Sequence, residues 1–464
     1  MRVCAPVPTG YADAMSEVKN VAVIGGGLAG LAAAVSLVRA GLAVHVYEAA
    51  ATAGGRMRSD RLGDATVDPS VQLVSSTYTS FFELARICGA ADLLVRAPGR
   101  DALWRAGRAH GITYGSVTSM VGSGALPPGL KLKLGTRYLP FLATTARTLD
   151  ANDPAATAGV ALDDESVAAW GAREMGSDFV ELLAYPLLAA YYGCAPEDVT
   201  AALYHALARV GMDVRVHAVR GGAGALPRAI VSWLLQHGAV VRTNTRVAST
   251  GGGDRDGVRV ELQNETAVHD AAIIATTATA ARALLPARGA IAAWLAEVRT
   301  APTATAAFLL DAPLERDWFG LSFPRGSEPG ERIAAITAQS RKLQTLVPAG
   351  REVVVVYPAP AIAARLARAT PQETVDELMP ALETALPGFG ARVERARVYP
   401  FTDGYAVFHP GYLRRLRAFD ERWLPARIAL AGDYLVAPSV EGAVRSGLKA
   451  ARRLLGPAPP ADSG

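Results

Sequence analysis

Residues 20–48 read NVAVIGGGLAGLAAAVSLVRAGLAVHVYE, and this stretch decides the fold. Asn20-Val21-Ala22-Val23-Ile24 is a short β-branched run that reads as a buried parallel strand. Gly25-Gly26-Gly27-Leu28-Ala29-Gly30 then supplies Gly-x-Gly-x-x-Gly, followed by an Ala-rich helix from Leu31 to Arg39 with Gly41 as its C-terminal stop. Leu42 to Tyr47 is a second strand, with Glu48 at its C-terminal end. Each glycine has a physical task. Gly25 makes the tight turn, Gly27 leaves room for a pyrophosphate, and Gly30 lets the helix pack closely on the strand. The helix N-terminus offers N–H groups and a positive dipole end to phosphates, and Glu48 can accept from ribose hydroxyls. Strand, turn, helix, strand and acidic residue in this order are a strong dinucleotide-binding pattern, where the glycines alone would be weak.

The same stretch excludes a tempting alternative. Val21 to Val38 carries no charge over 18 residues, near the length of a membrane span, yet its three glycines and strand-like start argue against one. The chain of 464 residues is 50% hydrophobic and 19% charged, a globular composition with room for two or three domains. Its net charge is +4, and 42 of its 47 basic residues are arginine without a basic block, which does not point to nucleic acid. Cys4, Cys88 and Cys194 lie far apart and the seven histidines show no ligand spacing, so neither a disulfide framework nor a metal site is expected. Cys88 reads as core. A cytoplasmic location fits this cysteine usage. Residues 1–18 read as a disordered extension, with Met15 an alternative start, and 457–464 as a disordered tail.

After the second strand comes Ala49 to Arg56, AAATAGGR, a Gly-Gly-Arg that a simple nicotinamide enzyme does not need. Here the chain resembles the flavin-containing amine oxidase superfamily, in particular its protoporphyrinogen oxidase and phytoene desaturase-like branch. The likeness continues through Val67-Asp68-Pro69-Ser70-Val71-Gln72-Leu73, where Ser70 stands in place of the family's usual glycine. It returns at Ala239 to Val247, at Ile428-Ala429-Leu430-Ala431-Gly432-Asp433, and at Pro438-Ser439-Val440-Glu441-Gly442-Ala443, which opens a helix to about Leu455. In that helix Gly442, Ser446, Ala450 and Ala443, Gly447, Ala451 form two stripes of small residues that permit close packing.

The resemblance implies an α/β architecture: a Rossmann-like FAD-binding domain (19–80, 216–290, 415–456) interleaved with an α+β substrate domain. That second domain is expected to be mainly helical over 81–215 and mainly antiparallel sheet over 291–414. It implies FAD contacts at Gly25, Gly27, Leu28, Ala29, Gly30, Glu48, Ala49, Gly55, Arg56 and Met57. Further contacts fall at Ser70, Val71, Gln72, Leu73, Val247, Gly432, Asp433, Val440, Glu441 and Ala443. Where some relatives bind FAD through cysteine this chain has Gly404, so non-covalent FAD is expected.

Flavin supplies hydride acceptance at N5, and the protein orients the donor carbon and excludes water. Amine-oxidising members bracket the substrate with two aromatic residues; Tyr405 matches the first, but the second position is Ser439. The segment Gly404 to Leu413 resembles the desaturase-like branch more closely, as does Tyr78, ten residues after Asp68. The expected reaction is therefore dehydrogenation of a CH–CH or CH–NH unit in a bulky hydrophobic small molecule. Tyr405 and His409 are the candidate acid–base groups, and Tyr405, Phe408, Ser439 and Tyr191 the candidate substrate contacts. An amine or amino-acid oxidase, a flavoprotein isomerase and a non-enzymatic dinucleotide-binding protein are the alternatives. O2 or another acceptor would reoxidise the flavin, and a homodimer is a further expectation. Leu126 to Leu149, with Lys131, Lys133, Arg137 and Arg147 among apolar residues, reads either as a peripheral membrane patch or as a lid or core helix over the cavity.

Overall fold

The computed structural model describes residues 18–113, 116–145, 148–156, 161–212, 214–254 and 256–456. The N-terminal extension up to residue 17, with Cys4 and Met15, the tail and Arg147 lie outside the described residues.

Asn20–Ile24, Leu28–Arg39 and Ala43–Tyr47 form the expected strand, helix and strand. The two strands belong to a five-stranded sheet, ordered 240–242, 43–47, 20–24, 271–274, 428–430, in which every neighbouring pair is parallel. Val21, Ala22 and Val23 are inaccessible to solvent, so the missing charge in this stretch follows from burial on both faces of the sheet. The C-terminal helix Val440–Leu455 lies across Leu28–Arg39 at close range. A Cβ at Gly447 would overlap the Ala29 carbonyl, and Ala450 and Ala451 are buried on the same side. The small-residue stripes thus bring the last helix onto the first.

A seven-stranded sheet makes the second layer, ordered 393–406, 300–310, 352–358, 333–338, 320–322, 100–105, 108–113. Its pairs are antiparallel except 320–322 with 100–105. The region 81–215, expected to be mainly helical, also supplies two strands to this sheet, because Arg100–Arg105 and Arg108–Thr113 form a hairpin. The turn is Ala106-Gly107 with φ of 51° and 74°, the left-handed pair that a two-residue hairpin demands. Ala-Gly is a poor signal for such a turn, and the flanking arginines and His110 mask the alternation. Elsewhere in that region helices do dominate, including Val167–Glu174, Tyr185–Tyr192 and Ala201–Val210.

The 126–149 stretch forms helical turns over Pro128–Lys133 and Leu139–Thr144 with a wide turn between. Leu130, Tyr138 and Leu142 are buried, Tyr138 against Phe179 and Trp170. Lys131 and Lys133 donate to the carbonyls of Ser123 (2.7 Å) and Met175 (2.8 Å), so these ammonium groups are tied to the protein. Leu132 is exposed. Among the described residues no helix is long and apolar enough to cross a membrane.

Candidate active site

A cavity of about 800 Å³ runs from the glycine turn at the carboxyl edge of the parallel sheet to the face of the seven-stranded sheet. The chain enters it at Gly25, whose φ of +107° suits glycine and whose Cβ would sit 2.5 Å from the Ala275 carbonyl. At Gly30 a Cβ would overlap the Gly25 carbonyl oxygen. Gly27 is different. Its φ and ψ of −70° and 175° suit any residue, and a Cβ there meets nothing within 4 Å. No protein contact asks for glycine at 27, so the space it leaves open lies toward the cavity. The first-turn N–H groups of a helix have no partner within it, and Leu28 and Ala29 line the cavity beside that space. A diphosphate is the group that such a cradle fits.

Glu48 is fixed at the rim: its carboxylate accepts from the N–H of Gly26 (2.7 Å) and of Ala50 (2.7 Å). Arg56 donates to the Gly404 carbonyl (2.6 Å) and pairs with Asp433 (2.9 Å), so it joins the first motif to the last. Burial opposes its charge, but Asp433 outweighs this and raises its pKa. A side chain at Gly404 would press on the Ala301 carbonyl at 2.5 Å, and among the described residues no cysteine or histidine lines the cavity. Cys88 and Cys194 lie elsewhere in the core, their thiols pushed up by burial to about 11 and about 12.

The 68–73 turn stands on a buried ion pair that the sequence did not suggest. Lys342 Nζ lies 2.6 Å from Asp68, which also accepts from Ser59 (2.5 Å) and the Ala223 N–H (2.9 Å). Lys342 also donates to Gln72 Oε1 (2.9 Å), and the Gln72 amide donates to the Tyr357 hydroxyl (2.6 Å). Ser70, whose presence departed from the family pattern, lines the cavity with Tyr405, and desolvation raises that phenol above its ordinary pKa. Tyr405 is thus a neutral phenol. Tyr78 is pushed up to about 12 by burial and the nearby Glu441 carboxylate.

Most of the predicted positions meet in this one cavity. Its wall includes Gly25, Gly27, Leu28, Ala29, Glu48, Ala49, Gly55, Arg56, Met57 and Ser70 to Leu73. It also includes Val247, Gly432, Asp433, Ser439, Val440, Ala443, Tyr191 and Tyr405. Four predicted residues stand apart. Gly30 serves the packing of helix on turn. Glu441 is fully buried and turns its carboxylate to the N–H groups of Ser80 (3.0 Å) and Phe81 (2.8 Å), capping Thr79–Ile87. Phe408 is in the core against Tyr412, with ring centroids 4.6 Å apart. His409 bonds the adjacent Pro410 carbonyl (2.9 Å) and packs edge-on to Tyr412, so it is a turn residue away from the cavity. Sequence reading missed Asp101, Phe319, Ser322, Thr337, Tyr357 and Phe401 in the wall. Apart from Phe319, which immediately precedes the strand Gly320–Ser322, they come from sheet strands whose inward face a single sequence does not mark.

A two-layer protein whose glycine turn and helix terminus open into a cavity with aromatic walls has the architecture of a cofactor-binding enzyme. The chain belongs to the flavin containing amine oxidoreductase family, whose profile matches residues 28–455. A flavin cofactor and oxidoreductase chemistry come with that membership. The fold is shared with cyclohexylamine oxidase from Brevibacterium oxydans IH-35A, at TM-score 0.71 and 20% identity over 94% of this chain and 99% of that one. It is shared too with a protein of Exiguobacterium sp. 255-15 described provisionally as a protoporphyrinogen oxidase, at TM-score 0.73 and 18% identity over 94% and 98%. Among curated relatives, a hydroxysqualene dehydroxylase of Sinorhizobium fredii is 48% identical over 79 residues, 17% of this chain and only 19% of that protein's length. A carotenoid phi-ring synthase of Streptomyces griseus is 26% identical over 358 residues, 71% of this chain and 67% of that protein.

Proposed function

We propose that the protein binds FAD non-covalently and dehydrogenates a carbon of a bulky hydrophobic small molecule. The observation that carries this reading is the open space at Gly27, at the mouth of a cavity whose far walls carry the aromatic side chains of Phe319, Phe401 and Tyr192. The diphosphate would lie on the helix N-terminus, with ribose hydroxyls at Glu48 and the ring edge toward Pro438, Ser439 and Val440. When bound, the flavin supplies hydride acceptance. Arg56 and Asp433 hold the two ends of the cofactor site in register. Tyr405 presents a neutral phenol to the cavity, which orients a substrate by donating or accepting a hydrogen bond. Phe319, Phe401 and Tyr192 exclude water from the reacting carbon. The names of the relatives, hydroxysqualene and a carotenoid, support a long, largely hydrocarbon substrate. O2 or another acceptor completes the cycle. Ser439 stands where amine oxidation would require a second aromatic face, which favours dehydrogenation at carbon.

Anaerobic addition of polyenes, porphyrinogens, amines and aromatic metabolites to the holoprotein tests the proposal. Flavin bleaching by an apolar polyene or ring substrate is expected; bleaching by amines alone contradicts it.

A further inference from the structure

The face of the seven-stranded sheet that closes the cavity is not apolar. Asp101, Gly320 and Thr337 stand abreast on three successive strands, and Ser322, Ala335 and Tyr357 form the next rung on the same face. All six line the cavity. Gly320 keeps the rung open, because a Cβ there would press on the Asp101 carboxylate at 2.9 Å. One Asp101 oxygen accepts from the Gly320 N–H (2.9 Å) and the other from the Tyr191 hydroxyl (3.2 Å) across the cavity wall. The strands' opposite faces pack into an all-apolar core with Ala102, Leu321, Ile336, Val354 and Val356. The polar set is therefore confined to the cavity side. These groups have protein partners, Tyr357 accepting from Gln72 (2.6 Å) and Thr337 from Gln339 (3.3 Å), and a hydroxyl on the ligand adds a bond to their remaining donor and acceptor capacity where a pure hydrocarbon adds none.

We propose that Asp101, with Tyr191, Ser322, Thr337 and Tyr357, forms an anchor for a hydroxyl group carried by the otherwise apolar substrate. This rests on the apolar-cavity reading above and narrows it to oxygenated substrates. The set suits a neutral hydroxyl, which both donates and accepts, better than a cation: four of the five groups are hydroxyls. Desolvation lifts the Asp101 carboxyl to about 7, so near neutrality it offers both a donor and an acceptor form.

The test is equilibrium dialysis of anaerobic holoprotein against farnesol, farnesene and farnesylamine, a readout independent of turnover. The wild type is expected to bind farnesol about 10-fold more tightly than farnesene, the preference of one hydrogen bond to a buried carboxyl. Asp101→Leu should bring that preference within about 2-fold, and the milder Tyr191→Phe should reduce it about 3-fold. Equal binding of farnesol and farnesene by the wild type overturns the anchor alone. So does an Asp101→Leu or Tyr191→Phe protein that keeps the full preference or weakens both ligands alike. Tighter binding of farnesylamine than farnesol replaces the hydroxyl with a cation and overturns it too. No binding of either farnesol or farnesene contradicts the apolar-cavity reading itself.

Discussion

Replacing Lys342 with methionine asks how the 68–73 turn is held. The Lys342 and Asp68 side chains are 0% and 2% exposed, and their ion pair spans 2.6 Å. Methionine fills most of the lysine volume, so the cost falls on Asp68. Its carboxylate keeps Ser59 and the Ala223 N–H but loses the charge that compensates its burial. Removing one partner of a buried pair costs about 3–5 kcal/mol. Gln72 loses a donor in the same step, so the turn should loosen and flavin should dissociate more readily. The double variant Asp68→Asn/Lys342→Met removes both charges and should recover most of the loss, giving a coupling energy of roughly 2–3 kcal/mol. Urea unfolding followed by far-UV circular dichroism, with flavin content measured on the same samples, reads both effects. A Lys342→Met protein within about 1 kcal/mol of wild type, or a double variant as unstable as the two single losses added, refutes the reasoning.

Two further predictions separate packing from binding and define a pH response. Gly27→Ala should keep the wild-type urea midpoint but bind flavin at least about 10-fold more weakly, because its methyl enters only the ligand's space. Gly30→Ala should instead lower stability by several kcal/mol through overlap with the Gly25 carbonyl; equal flavin affinity in Gly27→Ala and wild type contradicts the cradle. Asp101 has its folded pKa raised from 3.8 to about 7, so the native state holds its proton longer than the unfolded chain. Its contribution to stability is therefore full below about pH 4 and declines as pH rises to about 7, by at most roughly 4 kcal/mol. Asp101→Asn should gain on wild type across that window in urea midpoint, and a gap that does not change with pH contradicts this.

The parts of the site that were legible in the sequence are the ones built from local order. Strand, turn and helix at 20–39 are set by hydrophobic period and glycine spacing within one βαβ unit, and Gly432-Asp433 with the helix after it is equally compact. Partners that meet only through tertiary structure left no local trace. Lys342 reaches Asp68 across 274 positions, and nothing around Lys342 marks it as buried. Asp101 lies in a hairpin whose Ala-Gly turn and arginine flanks hide its strands. Glu441 sits at the helix start expected for it, yet caps Thr79–Ile87, 360 residues distant, because the two helices pack together. His409 looked chemical by residue type alone, whereas its neighbour Pro410 supplies its bond.

If the Gly27 cradle holds the diphosphate of FAD, heat or acid release of the cofactor from purified protein, identified by chromatography and mass, should yield FAD, close to one per chain, wholly in the supernatant. FMN, a nicotinamide dinucleotide, flavin remaining on the precipitate, or protein that neither carries nor takes up FAD would contradict it.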